Sequence, residues 1–297
     1  MRLYLVDSSI FVFRAWFGPV LTNPAGEPNQ ALVGFSDFVH RLLSEQSPSR
    51  IVFAFDESLA QSARKEIYPD YKANRSPAPA ELKRQFAWCR QWLDALGLSN
   101  VSSTRWEADD LIGSLAFYHR REDLPVAFLT ADKDLAQLVQ EGDIWWSYLD
   151  NRILDYRAIM KKFGVRPKQI AEQLALSGDK VDNIPGIPEV GMKTAARLLK
   201  KFDSIDNLCR HLDEVGSMKF RYAARVQQSL IDNQSLLQTS LALTRIECEI
   251  EEMRDVDTSR QAVDVAHIES MMDEQGFDSS RRERWQALLT MPEMQGH

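Results

Sequence analysis

Residues 2–7 read Arg2-Leu3-Tyr4-Leu5-Val6-Asp7, a run of consecutive apolar, β-favouring positions closed by a carboxylate. A short run apolar at successive positions fits a strand covered on both faces, as in a parallel sheet. Residues 51–56, Ile-Val-Phe-Ala-Phe-Asp, repeat the pattern and end on Asp56. Residues 126–129 lead through Thr130 and Ala131 into Asp132 and Asp134. Helical periodicity over 31–43 and 79–98 lies between these runs, so strands alternate with helices, and an α/β core with a parallel sheet is predicted. Ligands of such sheets gather at the carboxyl ends of the strands. One aspartate there is most often a helix cap or a turn. Three of them point to a site.

Bulk composition narrows the chemistry. With 44% apolar and 27% charged residues in 297, the chain has the make-up of an ordinary globular protein. Asp7 and Arg14 interrupt any apolar signal core, and no stretch approaches the roughly 20 apolar residues that span a bilayer, so no membrane is expected and the protein reads as cytoplasmic. Cys89, Cys209 and Cys248 form no CxxC pair, and the five histidines are scattered. A bound metal would therefore need oxygen ligands. The net charge of −7 argues against a nucleic-acid partner until its distribution is considered. Lys161, Lys162, Arg166, Lys168, Lys180, Lys193, Arg197, Lys200 and Lys201 fall close together, while many acids gather in short motifs.

Past about residue 165 the strand signal fades. Helical patterns cover 166–176, 193–202 and 220–240, with a Gly/Pro-punctuated stretch over 178–191, so two units are expected, 1–165 and a helical lobe 166–297.

Glu107-Ala108-Asp109-Asp110 opens a helix, Asp132 and Asp134 at spacing two point the same way in extended chain, and Asp179 and Asp182 share a face of a helical turn. With Asp7 and Asp56 these carboxylates converge on one rim. Such crowding raises their pKa values unless cations intervene. Hard Mg²⁺, with Mn²⁺ as a substitute, is the natural cation, and the set can hold two. Two metals hydrolyse phosphodiesters without a protein nucleophile, which agrees with the absence of a Ser-His-Asp or Cys-His pattern. Arg64, Lys65, Tyr68, Tyr71, Lys72 and Arg75 form a basic, aromatic segment in which Lys72 and Arg75 could clamp a phosphate and the tyrosines could stack on bases. Lys83, Arg84 and Arg90 would border a hole for a threaded strand. The turn Gly186-Ile-Pro-Glu-Val-Gly191 before Met192, Lys193 and Thr194, backed by Arg197, is suited to gripping a duplex backbone.

As a set, Leu-Val-Asp7, Ala-Phe-Asp56, Arg64 with Tyr71-Lys72-Ala-Asn-Arg75, Glu107-Ala-Asp-Asp110, Thr130-Ala-Asp-Lys-Asp134 and Gly178-Asp-Lys-Val-Asp-Asn-Ile-Pro-Gly186 resemble the 5′ nuclease, or flap endonuclease, family, in particular the 5′→3′ exonuclease portion of bacterial DNA polymerase I. The resemblance implies a Rossmann-like (PIN-like) core, a helical arch at about 64–97 and a helix–three-turn–helix at about 177–200. It implies one metal held by Asp7, Asp56, Glu107 and Asp109, a second by Asp132, Asp134 and Asp182, and indirect support from Asp110 and Asp179. Lys72 and Arg75 match a basic pair at the arch base, and K⁺ is implied at the helix–three-turn–helix. Glu189 stands where the family's hairpin usually has glycine. The chain resembles a stand-alone nuclease rather than a polymerase fragment. The expected activity is structure-specific cleavage of DNA with a 5′ end, flap or branch, by a monomer serving a polymerase or clamp. The rivals are a non-catalytic branched-DNA binding protein and an RNA-cutting relative.

Overall fold

The computed structural model describes residues 1–57, 61–121 and 123–291. β1 (Leu3–Asp7) runs into α1 (Ser8–Trp16) and α2 (Gln30–Gln46), then β2 (Arg50–Asp56), α3 (Ala63–Ile67), α4 (Ala80–Ala95), β3 (Ser99–Ser103), α5 (Ala108–His119) and β4 (Val126–Leu129). β5 (Ile144–Ser147) and β6 (Arg152–Asp155) complete the sheet. Helices follow: α6 (Tyr156–Phe163), α7 (Ile170–Ser177), α8 (Met192–Phe202), α9 (Ile205–Arg210), α10 (Ala223–Asp232), α11 (Gln234–Thr244), α12 (Val265–Glu274) and α13 (Ser279–Leu289).

The strand order is β3-β2-β1-β4-β5-β6, parallel throughout except for β6, which runs antiparallel to β5. Chain progress reverses direction between β1 and β4, the switch point at which such sheets open a crevice. Both faces are covered. Leu3, Leu5, Val52, Ala54, Val126 and Phe128 face the layer built from α5 and α7 to α11, while Val6, Phe53, Phe55 and Leu129 face α1, α2 and α4. Two buried faces explain why β1, β2 and β4 read as continuous apolar runs.

β3, β5 and β6 were not among the expected strands. β3 is Ser-Asn-Val-Ser-Ser, half-buried at the sheet edge, and only its backbone ladder to β2, from Val52↔Ser99 to Asp56↔Ser103, makes it a strand. The 64–97 segment carries α3 and α4, but residues 68–79 between them are turns and irregular chain rather than helix, and α4 does not stand free. Its Leu82, Cys89, Trp92 and Leu93 are buried in the core layer shared with α2, and buried Gln85 accepts the Ala31 N–H at 2.6 Å, at the start of α2.

The unit 166–297 is likewise not one lobe. Ile268, Met271, Met272, Phe277, Trp285 and Leu288, from α12, α13 and the turn joining them, belong to the same apolar layer as α2 and α4. Trp285 meets Trp92 edge-on with ring centres 5.1 Å apart, and Asn29 Nδ2 donates to the Gln275 carbonyl at 2.7 Å. An amphipathic pattern gives a helix an apolar face without saying which surface that face will meet. Trimming fully buried Ile268 to valine is expected to cost about 1 kcal/mol and to shift a single unfolding transition, as seen by calorimetry. Separate melting of the tail would contradict this packing. No helix among the described residues is long and apolar enough to cross a membrane.

Candidate active site

Asp7 and Asp56 end β1 and β2, and Thr130 follows β4, so the three strand ends meet where the sheet order reverses. Thr130 Oγ1 donates to Asp7 Oδ2 at 2.9 Å and accepts the Asp132 N–H at 2.9 Å, tying the first carboxylate to the next motif. The Ala108 N–H, at the start of α5, donates to Asp56 Oδ1 at 2.9 Å. α5 thereby brings Glu107 and Asp109 to the same rim.

Burial, then the charges of Asp56 and Asp132, drives the Asp7 carboxyl well above the usual range. Burial, then Asp132 and Asp7, does the same to Asp109. Burial first, and the Asp182 charge against the Asp134 N–H, raises Asp132, while burial and Asp132 push Asp134 up to about 7. Glu107 goes the other way. Burial works to raise it, but Lys72 and Arg64 outweigh burial and hold it below the usual range. Among the described residues, no three of these acids close into a ready-made metal cage.

Two features fit a divalent cation on this rim. Asp134 Oδ1 is buried without a hydrogen-bond partner, with Lys133 Nζ 3.7 Å away, and the Asp109 carboxylate makes no hydrogen bond among the described residues. An all-carboxylate donor set held partly neutral by crowding is what a hard cation would ionise.

The basic segment closes over the acids. Lys72 Nζ lies 2.5 Å from Glu107 Oε2 and 3.7 Å from Asp182 Oδ2, and Arg75 Nη2 lies 2.5 Å from Asp182 Oδ1. Lys72 takes a left-handed φ of 51°, held by its N–H donating to the Asp182 carbonyl at 3.0 Å. Such strain persists where surrounding structure over-determines it. Asn183 Nδ2 also donates to the Asp70 carbonyl at 2.7 Å, so the turn carrying Asp182 is locked to the segment carrying Lys72.

Several expected roles change. Arg64 is buried and does not face the cleft. It forks onto Asp110 at 2.5 and 2.7 Å and donates to the carbonyls of Leu243 and Arg245, both at 2.9 Å. The Asp110 carboxylate is fully engaged with Arg64 and the N–H groups of Glu107 and Glu247, so it is no free metal ligand. Tyr71 is 2% exposed and donates to Glu107 Oε2 at 3.1 Å, while Tyr68 packs against it, so Tyr71 cannot stack on bases. Asp132 and Asp134 are not in extended chain: Asp132 Oδ1 caps the Asp134 N–H at 2.8 Å ahead of the 3-10 helix Asp134–Leu138. Asp179 and Asp182 sit in a turn closed by paired Asp179–Ile184 bonds, not on a helix.

Other sequence candidates surround the rim. Lys65 and Lys83 make no ion pair among the described residues, whereas Arg84 pairs with Glu27 at 2.7 Å. Gly186, φ 64°, could not take a Cβ, which would lie 2.2 Å from the Gly178 nitrogen, so this glycine serves backbone crossing. Gly191 precedes α8, and Lys193, Arg197 and half-buried Thr194 follow on its first turns. Glu189 holds a φ of 67°, a conformation glycine adopts freely. Lys133, which lies 2.5 Å from Asp179, and Thr130 were missed as site residues, although both lie inside the Thr-Ala-Asp-Lys-Asp motif.

Fold and rim together define a class, an α/β nuclease with a helical C-terminal part. Residues 2–164 match the 5′-3′ exonuclease N-terminal resolvase-like domain and residues 165–266 the 5′-3′ exonuclease C-terminal SAM fold. The chain belongs to the 5′-3′ exonuclease family. It is 38% identical over 213 residues to a 5′-3′ exonuclease of Aquifex aeolicus, covering 71% of this chain and 73% of that one. It is 32% identical over 284 residues to DNA polymerase I of Bacillus caldotenax, covering 94% of this chain but only 32% of the polymerase. Among solved structures, T5 5′-exonuclease with bound zinc aligns over 97% of this chain and 100% of its own, with a TM-score of 0.64 at 18% identity. The catalytic core of Rad2 in complex with a DNA substrate aligns over 97% and 92%, with a TM-score of 0.66 at 17% identity. At such identities the likeness concerns the fold.

Proposed function

We propose that this nuclease cuts DNA at a 5′ end, 5′ flap or branch, with two Mg²⁺ ions that Mn²⁺ can replace. The observation carrying this reading is the ring of carboxylates at the strand ends, faced by Lys72 and Arg75. Asp7, Asp56, Glu107 and Asp109 would hold one ion, and Asp132, Asp134 and Asp182 the other. Asp179, engaged by Lys133, and Asp110, engaged by Arg64, would act by orienting neighbours. When bound, such ions supply an activated water and stabilise charge on the attacking and leaving oxygens.

The chain's own groups do the rest. Lys72 and Arg75 exchange their carboxylate partners for the scissile phosphate and hold it in line. Lys65 and Lys83, exposed or half-exposed, flank the path of the 5′ strand. Gly191, Lys193, Thr194 and Arg197 grip the duplex backbone from the start of α8, in a helix–three-turn–helix whose 178–191 carbonyls would accept K⁺. The substantial match to part of a DNA polymerase I favours work beside a polymerase in replication or repair.

The test is a Mg²⁺ titration with an end-labelled 5′-flap duplex, with single-stranded RNA alongside. Cleavage that requires the ion and prefers the flap is expected. Binding without cleavage would leave a DNA-binding module, and faster RNA cleavage would move the substrate class. Arg75→Ala is expected to lower kcat about 10- to 100-fold with flap affinity little changed. An unaltered kcat would remove Arg75 from the phosphate.

A further inference from the structure

At the entry to α10 an exposed tyrosine carries two arginines. Tyr222 is 46% exposed. The guanidinium carbons of Arg221 and Arg225 sit 4.5 and 5.0 Å from its ring centre. Tyr222 holds a left-handed φ of 65°, unfavourable for any residue with a Cβ. Neither arginine has an acidic partner among the described residues, in contrast to Arg64, Arg75, Arg84, Arg90, Arg105 and Arg120. The adjoining 3-10 helix Leu212–Ser217 does not neutralise them, since its Glu214 is taken by Lys201 at 2.8 Å. Arginines fixed on a ring, with their N–H edges open, are arranged for oxyanions.

Position decides which oxyanion. Ser229 Oγ, further along α10, donates to the Pro188 carbonyl at 2.8 Å, in the turn that leads into α8. Arg225 precedes Ser229 by four residues and so lies on the same face, roughly 6 Å along the helix. Buried Ala223, Val226 and Leu230 turn another face of α10 to the core. Lys193 and Arg197, without an ion pair among the described residues, thus lie on the α8 side of the Pro188 turn, with Arg225 on the α10 side and Arg221 just before that helix.

We propose that Arg221 and Arg225, braced on Tyr222, form a second grip on the phosphate backbone of duplex DNA, beyond the α8 contact. The proposal rests on the reading of DNA as substrate. Tyr222 acts as a positioning residue that holds both guanidiniums at the strand.

The test is binding of the full chain to a labelled duplex in EDTA across salt concentrations, with flap cleavage in Mg²⁺ measured separately. Arg221→Ala/Arg225→Ala is expected to weaken duplex binding about tenfold near 0.1 M salt and to reduce the log–log salt slope by about 2. The kcat on a saturating flap should not change. Arg221→Lys/Arg225→Lys should keep most of the slope while losing part of the affinity. Tyr222→Gly should raise the melting temperature, by releasing the left-handed strain, yet weaken binding, a divergence that a purely structural role would not produce. Parent-like affinity and slope in the double alanine variant would overturn the grip. A chain that binds duplex through these arginines but cuts no flap would leave the grip standing and overturn the nuclease reading, so the two failures are distinguishable.

Discussion

In EDTA at pH 8, Asp132→Asn is expected to melt at a higher temperature than the parent chain, while cleaving on the order of 10³-fold more slowly or worse in Mg²⁺. Both effects come from the same crowding. Burial and mutual repulsion raise the carboxyls of Asp7, Asp109, Asp132 and Asp134, so their ionised forms destabilise the metal-free fold. For acids raised in this way, the folded chain binds more protons than the unfolded one between the ordinary aspartate value and the raised one. Stability therefore falls as pH rises through that window. For Asp134, whose carboxyl lies at about 7, the loss is on the order of a few kcal/mol. Metal-free parent chain should thus melt higher at pH 5 than at pH 8, with a smaller difference in Asp132→Asn, and Mg²⁺ or Mn²⁺ should restore the parent at pH 8. Scanning calorimetry at the two pH values decides it. An asparagine variant that melts lower than the parent in EDTA at pH 8 would remove the repulsion argument.

Arg64→Ala is expected to lose about 3–5 kcal/mol of stability, measured by urea unfolding. Arg64 is 8% exposed and Asp110 1%, so the truncation leaves a buried carboxylate with no cation. It also leaves the carbonyls of Leu243 and Arg245 without these donors, at the end of α11, loosening the seat of the basic segment. Lysine should rescue little, because one ammonium cannot reproduce a fork onto Asp110 together with two carbonyl bonds. Adding Asp110→Ala should return part of the loss, since the stranded charge is removed. A loss below about 1 kcal/mol would mean that this pair behaves like a surface ion pair.

The central strands were legible because each is apolar on both faces and ends on a carboxylate, and the same signal located Asp7 and Asp56. β3 was not legible, since a polar edge strand is made by its neighbour's backbone and leaves no periodic mark in its own residues. The acidic motifs were readable as one constellation, but the division of labour within it was not. Asp109 and Asp110 are adjacent in sequence and alike in chemistry. Only the helix geometry sends one to the rim and the other to Arg64, 46 residues away in the chain. Tyr71 likewise reads as a stacking residue until its hydroxyl is seen bonded to Glu107. Lys133 was hidden by company, as a cation inside a motif read for its acids.

The return of α12 and α13 to the layer of α2 and α4 has a consequence for how the molecule comes into being. Trp92 is flanked by Phe277 and Trp285, with ring centres 5.3 and 5.1 Å away. During synthesis, the ribosome would release the whole α/β sheet long before these two rings exist. The first half must wait with one apolar face uncovered, and a strand-rich intermediate with such a face is prone to aggregate. In this chain, helices made well after the sheet are the ones that finish the layer begun by α2 and α4.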